Sequence, residues 1–118
     1  MKVFQVEGDW TMDNARVSSR PVPVAGPGQV RIAMRATSVN YRDMLVPGRG
    51  YGRRMQELPL ILLSDGAGVV DAVGEGVTRF KPGDGIFANI FDLGTGALAE
   101  FALVPESAAA SIAPGIVQ

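Results

Sequence analysis

Two short polar clusters contain the side chains of this chain that are best suited to chemistry. One cluster holds Asn40, Tyr41, Arg42 and Asp43, and the other holds Ser64 and Asp65, with Tyr51 in the polar stretch between them. Amide, hydroxyl, guanidinium and carboxylate groups can bind and orient a polar ligand by hydrogen bonds. The chain has no Cys and no His. Composition therefore excludes a thiol nucleophile, an imidazole base and a tetrahedral zinc site.

The same residues have structural alternatives, which the sequence leaves open. Asn40 is also a suitable helix cap, and Asp43 could cap locally or pair with Arg42 on the surface. Ser64 and Asp65 could bond their own backbone in a turn. The tyrosines are more often core or rim residues than catalytic acids. Composition leaves a carboxylate-only Mg or Ca site open, but the acidic residues are scattered without a calcium-loop spacing, so we predict no metal site.

Length and composition indicate one globular domain without a charged partner. The chain has 118 residues, of which 47% are hydrophobic and 19% charged, with a net charge of -1. A balanced charge gives no field that would attract nucleic acid or a membrane surface. The residues after Met1 lack the apolar stretch of a signal peptide, and no window reaches the ~18 apolar residues of a membrane span. We expect a cytoplasmic protein.

Glycine and proline divide the chain into short apolar runs, which is typical of an all-β barrel or sandwich. The clearest strand is Gln29–Thr37, where Val30, Ile32, Met34 and Ala36 alternate with polar residues. Proline confines Val17–Val24 to an edge or an irregular path. The remaining predicted strands are Met1–Val6, Leu60–Leu63 as a central strand, Gly66–Val73, Ile86–Phe91 and Ala97–Val104.

Three further local features follow from turn and helix chemistry. Ser38 or Asn40 begins a predicted short helix that runs through Leu45, and Pro105–Ser111 is suited to one helical turn. Lys81–Asp84 has Pro and Gly at the central positions of a tight turn.

Four motifs in succession resemble one known family. These are Ser38–Asp43, Leu60–Gly68, Val73–Asp84 and Ala99–Val104. Together they resemble the GroES-like domain of medium-chain dehydrogenases and reductases, in the zinc-free, quinone-oxidoreductase-like branch. The resemblance implies a mainly β fold, a GroES-like, partly open β-barrel with one or two short helices, over residues 1–118.

The resemblance also implies a chemistry and a set of site residues. It implies an enzyme that uses NAD(P)H to reduce a quinone, an enone or a similar carbonyl substrate, with hydride supplied by the cofactor. It assigns Asn40, Tyr41 and Asp43 to catalysis, with Asn40 and Tyr41 also touching the cofactor. The substrate-binding residues that it implies are Arg42, Tyr51, Ser64 and Asp65.

Zinc is not expected, because the ligand positions are changed. Zinc-dependent relatives have Cys where this chain has Asn40, and Gly-His-Glu where it has Leu63-Ser64-Asp65. A carboxamide and a hydroxyl are poor zinc ligands compared with a thiolate and an imidazole.

The nucleotide domain of the family, a Rossmann unit, is not expected within residues 1–118. Gly94–Ala99 has the spacing G-x-G-x-x-A, but the following run is predicted to be a strand rather than a helix. We therefore expect no cofactor on this chain alone and an inactive domain without its partner. The alternative is a stand-alone GroES-like module for binding or homo-oligomerisation. A third, weaker possibility is an oligonucleotide-binding barrel, which a pI near 5.3 disfavours.

Overall fold

The computed structural model describes residues 1–39, 58–90 and 96–113 of the chain. Within these ranges, eight strands form two antiparallel sheets. The first sheet has the order β2-β1-β4, and the second has the order β7-β3-β5-β6-β8. The strands are β1 (Lys2–Val6), β2 (Ala15–Ser19), β3 (Gln29–Ser38), β4 (Leu60–Ile61), β5 (Asp65–Val73), β6 (Gly85–Asn89), β7 (Phe101–Pro105) and β8 (Ala109–Ser111).

One apolar core joins the two sheets. Val6 and Leu60 enter it from the smaller sheet, and Ile32, Val70 and Ile86 enter it from the larger one. All five side chains are at most 1% exposed, so the alternation that predicted the strands also selects their core face. The expectation of a mainly β fold is confirmed, and the larger sheet curls into a half barrel.

The segment 96–100 connects the sheets. The N–H groups of Ala97 and Leu98 donate to the carbonyls of Leu63 and Leu62, at 2.9 and 3.0 Å. Farther along, the N–H of Met34 in β3 donates to the carbonyl of Glu100. Segment 96–100 therefore passes from residues 62–63 to β3 of the larger sheet within five residues. Its hydrogen bonds hold residues 62–63, which precede β5, against the core.

Most predicted strands are confirmed, but Leu60–Leu63 is not a central strand. Only Leu60–Ile61 is a strand, and it pairs with β1 at the edge of the smaller sheet. The strand ends because Leu63 has a φ of 67°, in the left-handed region that a branched side chain seldom adopts. Leu62 and Leu63 are nevertheless buried, as expected.

The predictions near the end of the described chain are partly wrong. Only Glu106–Ala108 forms a helical turn, a 3-10 helix, because Ala109–Ser111 pairs with β6 as β8. Regular strand begins at Phe101 rather than at Ala97, because the N–H groups of Ala97 and Leu98 bond the segment before β5.

Local predictions in the first third of the chain fare better. Beyond β2, an edge strand, residues 20–28 contain no regular strand or helix. Trp10 is partly buried and packs against the core. The predicted helix that begins at Ser38 or Asn40 falls largely outside the described residues.

The turn Lys81–Asp84 is confirmed. The N–H of Asp84 donates to the carbonyl of Lys81 at 3.1 Å, and Gly83 has a φ of 99°. The N–H of Lys81 donates back to the Asp84 carboxylate at 3.0 Å, and its ammonium lies 3.2 Å from that carboxylate. These two contacts hold the pKa of Asp84 below its usual value.

A polar network braces β1 against β2. The Gln5 amide and the Ser18 hydroxyl both donate to the Glu7 carboxylate, at 2.8 and 2.7 Å. These hydrogen bonds, with the nearby charges of Arg16 and Arg20, hold the pKa of Glu7 below its usual value. Arg20 also donates to Gln5. The hydrogen bonds that Glu7 accepts are stronger when its carboxylate is ionised.

Candidate functional site

The candidate site is an open groove where three strands of the larger sheet meet. β3 and β6 end there, and β5 begins there. The groove encloses about 460 Å³, within the range of small-molecule sites. Its lining residues are Ala36, Thr37, Ser38, Asp65, Gly66, Ala67, Phe87, Ala88 and Asn89.

The register of β3, β5 and β6 places the residues that line the groove in one polar row and one apolar row. Ser38 lies opposite Asp65, and Asp65 lies opposite Asn89, so three polar residues form a line across β3, β5 and β6. Directly opposed residues of neighbouring strands point to the same face of a sheet. The polar row therefore offers a hydroxyl, a carboxylate and a carboxamide side by side.

The apolar row lies behind the polar one. Ala36 opposes Ala67, and Ala67 opposes Phe87. The alanines leave room, whereas the Phe87 ring is 50% exposed at the rim. A ligand with one polar end and a hydrocarbon body would therefore match both rows.

The backbone around Asp65 is held on two sides. The Thr37 hydroxyl donates to the carbonyl of Asp65 at 2.7 Å, and the N–H of Ile90 donates to the carbonyl of Ser64 at 2.6 Å. The left-handed backbone at Leu63 turns the chain into this position. Such strain persists only where the surroundings fix it, so the start of β5 is a rigid support for the groove.

The two predicted site residues that the structure describes have different positions. Asp65 is half-buried and lines the groove. Ser64 is fully buried and does not line the groove. Among the described residues, every buried side-chain nitrogen or oxygen has a hydrogen-bond partner, so the Ser64 hydroxyl is satisfied in the interior.

The other predicted site residues fall outside the described ranges. They are Asn40, Tyr41, Arg42, Asp43 and Tyr51. The chain enters this segment through Val39, which follows Ser38 at the groove.

Sequence reasoning missed Ser38, Asn89 and Phe87 as groove residues. Ser38 directly follows the predicted strand Gln29–Thr37, so its position at a strand end was visible, whereas Asn89 lies inside the predicted strand Ile86–Phe91 and ends β6 only in the structure. Their alignment with Asp65 was not visible, because strand register depends on pairing between distant segments.

No group of three or more acidic residues that could hold a metal ion occurs among residues 1–39, 58–90 and 96–113. Over the same ranges, no helix is long and apolar enough to cross a membrane. Residues 96–113 form strands, an isolated bridge at Ala99 and one three-residue helix, which does not match the helix that a dinucleotide-binding turn must begin.

Comparison with known proteins places the chain among oxidoreductase-like sequences. A sequence model of the alcohol dehydrogenase GroES-like domain matches residues 26–114. Mycoketide-CoA synthase from Mycobacterium tuberculosis is 44% identical over 92 residues, which are 75% of this chain and 2% of the synthase.

Two solved structures are similar over nearly the whole chain. A quinone oxidoreductase from Pseudomonas syringae pv. tomato DC3000 is 30% identical, with a TM-score of 0.81, over 98% of this chain and 34% of that protein. A mycobacterial protein in complex with NADPH is 31% identical, with a TM-score of 0.80, over 99% of this chain and 35% of that protein. The chain thus spans about a third of the length of these solved relatives.

Proposed function

The chain belongs to the family of alcohol dehydrogenase GroES-like domains, and on that premise we propose that it is the substrate-side domain of a zinc-independent, NAD(P)H-dependent oxidoreductase. The family match confirms the resemblance to medium-chain dehydrogenases and reductases. The observation that carries the proposal is the pair of rows in the groove. A row of hydrogen-bonding groups beside an apolar row suits a carbonyl compound with a hydrocarbon body, such as a quinone or an enone.

The polar row would bind the substrate oxygen. The Ser38 hydroxyl and the Asn89 amide are donors that face the groove, and donors placed at an oxygen that gains negative charge lower the barrier of carbonyl reduction. When bound, the cofactor supplies the hydride. The apolar row would hold the hydrocarbon part and exclude water from it. The small residues of the groove leave space for a flat ring, so the described residues fit a nicotinamide beside a small substrate.

The cluster after β3 completes the proposal. Asn40, Tyr41 and Asp43 would act at the reacting carbonyl, with Asn40 and Tyr41 also against the cofactor. Arg42 and Tyr51 would bind the substrate. Support comes from β3, which ends at Ser38, a residue that lines the groove.

The donor set does not fit zinc. At the positions that hold Cys and His in zinc-dependent relatives, this chain offers the Asn40 carboxamide and the hydroxyl of Ser64. Ser64 is 0% exposed, and its side chain is satisfied in the interior. A neutral hydroxyl and a carboxamide are weak zinc ligands. We therefore derive no step through a metal.

The complete protein would include a Rossmann domain as partner and small-molecule substrates. The solved relatives, of which this chain spans about a third, support that organisation. The chain alone would then hold no cofactor, and a cytoplasmic location remains a prediction.

A second candidate function is a stand-alone module that associates with itself. The exposed apolar residues Phe87 and Val39, 50% and 74% exposed, favour a covered surface near the groove. Static light scattering of the chain at increasing concentration tests this function, and a mass that stays monomeric would count against it.

The proposed function is tested in the chain completed with a nucleotide domain. NADPH oxidation is measured with a quinone and with an enone, with and without a chelator. We expect turnover that the chelator does not change. Replacing Asn40 or Asp43 by Ala should lower kcat/KM by about 10-fold or more.

The polar row has its own variants and a matched control. Asn89→Leu should raise KM and lower kcat by roughly 10-fold, because it removes a donor without removing bulk. Val17→Ala, on an exposed site of the other sheet, should leave both constants unchanged. If each of the three single variants, Asn40→Ala, Asp43→Ala and Asn89→Leu, keeps full activity, the groove is not the site.

A further inference from the structure

β3 contains a bulge at Arg35, beside the groove. Met34 lies opposite Gly68 of β5, whereas Ala36 lies opposite Ala67, so β3 advances two residues while β5 advances one. Arg35 is the extra residue. Bulges occur next to active sites, where they redirect a side chain away from the regular alternation of the strand.

Arg35 is one of the residues that line a second concavity of about 210 Å³. Met34–Thr37 form one side, and Ala97–Ala99 form the other. The concavity exists because segment 96–100 turns away from β3 to bond Leu62 and Leu63. Ala36 and Thr37 line both this concavity and the groove, so the two spaces adjoin.

Arg35 differs in its charge environment from the other arginines of the described ranges. Arg31, four residues earlier on β3, pairs with Asp71 at 2.8 and 3.1 Å. Arg16 pairs with Glu7, and Arg20 and Arg79 donate to backbone carbonyls. Arg35 makes no hydrogen bond or ion pair within residues 1–39, 58–90 and 96–113.

The acidic residue nearest in sequence to the facing segment is also engaged elsewhere. Glu100 follows Ala99, and its carboxylate accepts the N–H of Lys2. Arg35 is therefore an exposed residue at the concavity whose charge no carboxylate of the described residues pairs. Its planar fork matches an oxyanion, and a carboxylate above all.

We propose that Arg35 forms an anion subsite that binds the carboxylate of a substrate whose carbonyl lies in the groove. This inference rests on the proposed function for the position of the carbonyl. Two residues along a strand span about 6.6 Å, the distance from Arg35 to Thr37 at the groove. A carbonyl and a carboxylate separated by a few carbon atoms would reach both spaces. The substrate class is thus a short keto acid or an unsaturated analogue.

The test uses the 118-residue chain, labelled with nitrogen-15, and two probes that differ in charge alone. Levulinate has a ketone and a carboxylate, and methyl levulinate has the ketone and an ester. Each is titrated while the backbone amides of both spaces and the Arg35 Nε–H resonance are followed. The variants are Arg35→Gln and, as a control with the same loss of charge on the other sheet, Arg16→Gln.

We expect levulinate to shift Arg35 Nε–H and the amides of Ala97–Ala99 in a saturable manner. Exposed ion pairs contribute about 0.2–1 kcal/mol, so the ester should bind about 1.4- to 5-fold more weakly. Arg35→Gln should bind levulinate as weakly as the ester, with a dispersed spectrum that shows an intact fold. Arg16→Gln should bind both probes as the unsubstituted chain does.

Two results would overturn the inference. One is equal affinity for acid and ester, and the other is unchanged levulinate binding in Arg35→Gln. A different result would refute the proposed function. If neither probe shifts the groove amides of Asp65–Ala67 and Phe87–Asn89, the carbonyl site is wrong, whereas a charge-dependent shift at Arg35 would still support the anion subsite.

Discussion

Two glycines of β5 should respond very differently to the same substitution. A Cβ at Gly68 would lie 2.2 Å from the carbonyl oxygen of Ala33 and 2.7 Å from Cγ2 of Ile32. A Cβ at Gly66 would lie 2.2 Å from Cε of Met34, with other atoms at 3.2 Å or more. The first obstacle is backbone of the paired strand, and the second is the end of a flexible side chain.

The expected costs follow from what must move. In Gly68→Ala, β3 and β5 must separate by roughly an ångström, which stretches adjacent ladder hydrogen bonds of about 1 kcal/mol each and adds about 1–3 kcal/mol of overpacking. We expect a loss of about 3–5 kcal/mol in the free energy of unfolding. In Gly66→Ala, a rotamer change of Met34 costs about 0.5–1.5 kcal/mol. Alanine also lowers the conformational entropy of the unfolded chain, which stabilises the folded state by about 0.4–1 kcal/mol.

Urea denaturation of both variants measures the free energy of unfolding, and thermal denaturation measures Tm. Gly66→Ala should stay within about 1 kcal/mol of the unsubstituted chain, and Gly68→Ala should lower Tm by about 15 °C or more. Adding Met34→Leu, which lacks the terminal methyl, should recover stability in Gly66→Ala and leave Gly68→Ala unimproved. Equal destabilisation by the two alanines would show that the close contacts do not decide the cost.

Two further predictions concern the loss of stability at acid pH and the cost of a substitution in the core. Glu7 has a pKa below its usual value in the folded state, chiefly through the hydrogen bonds of Gln5 and Ser18. Its contribution to stability is therefore present above the unfolded pKa and is lost as pH falls through the folded one. Glu7→Gln should flatten the acid side of a Tm-versus-pH curve, and an unchanged slope would refute this. Ile32→Ala, at a fully buried site, should cost about 3 kcal/mol in urea denaturation, whereas Val17→Ala, 68% exposed, should cost less than about 0.5 kcal/mol.

Alternation and turn chemistry make much of this fold visible in the sequence. The pattern of Gln29–Thr37 predicts β3 to within one residue, because burial of one face imposes a period of two. The turn Lys81–Asp84 is equally local, since Pro and Gly fix its backbone angles within four residues. Predictions failed where a distant partner decides the structure, as in Ala109–Ser111, which forms a strand because β6 offers an edge.

For the candidate site, too, the sequence predicts what residue types decide and misses what distant contacts decide. The sequence alone excludes thiol and imidazole chemistry, because Cys and His are absent from the chain, and its succession of motifs identifies the family. Only the tertiary structure aligns Ser38, Asp65 and Asn89, because their strands lie far apart in the chain and register is set by pairing. It alone buries Ser64 while placing its neighbour Asp65 at the groove, and it alone shows the bulge at Arg35, which has no ion pair with any of the described residues. Chemical capacity is a property of residue types, whereas the assembly of a site depends on long-range contacts that no local pattern encodes.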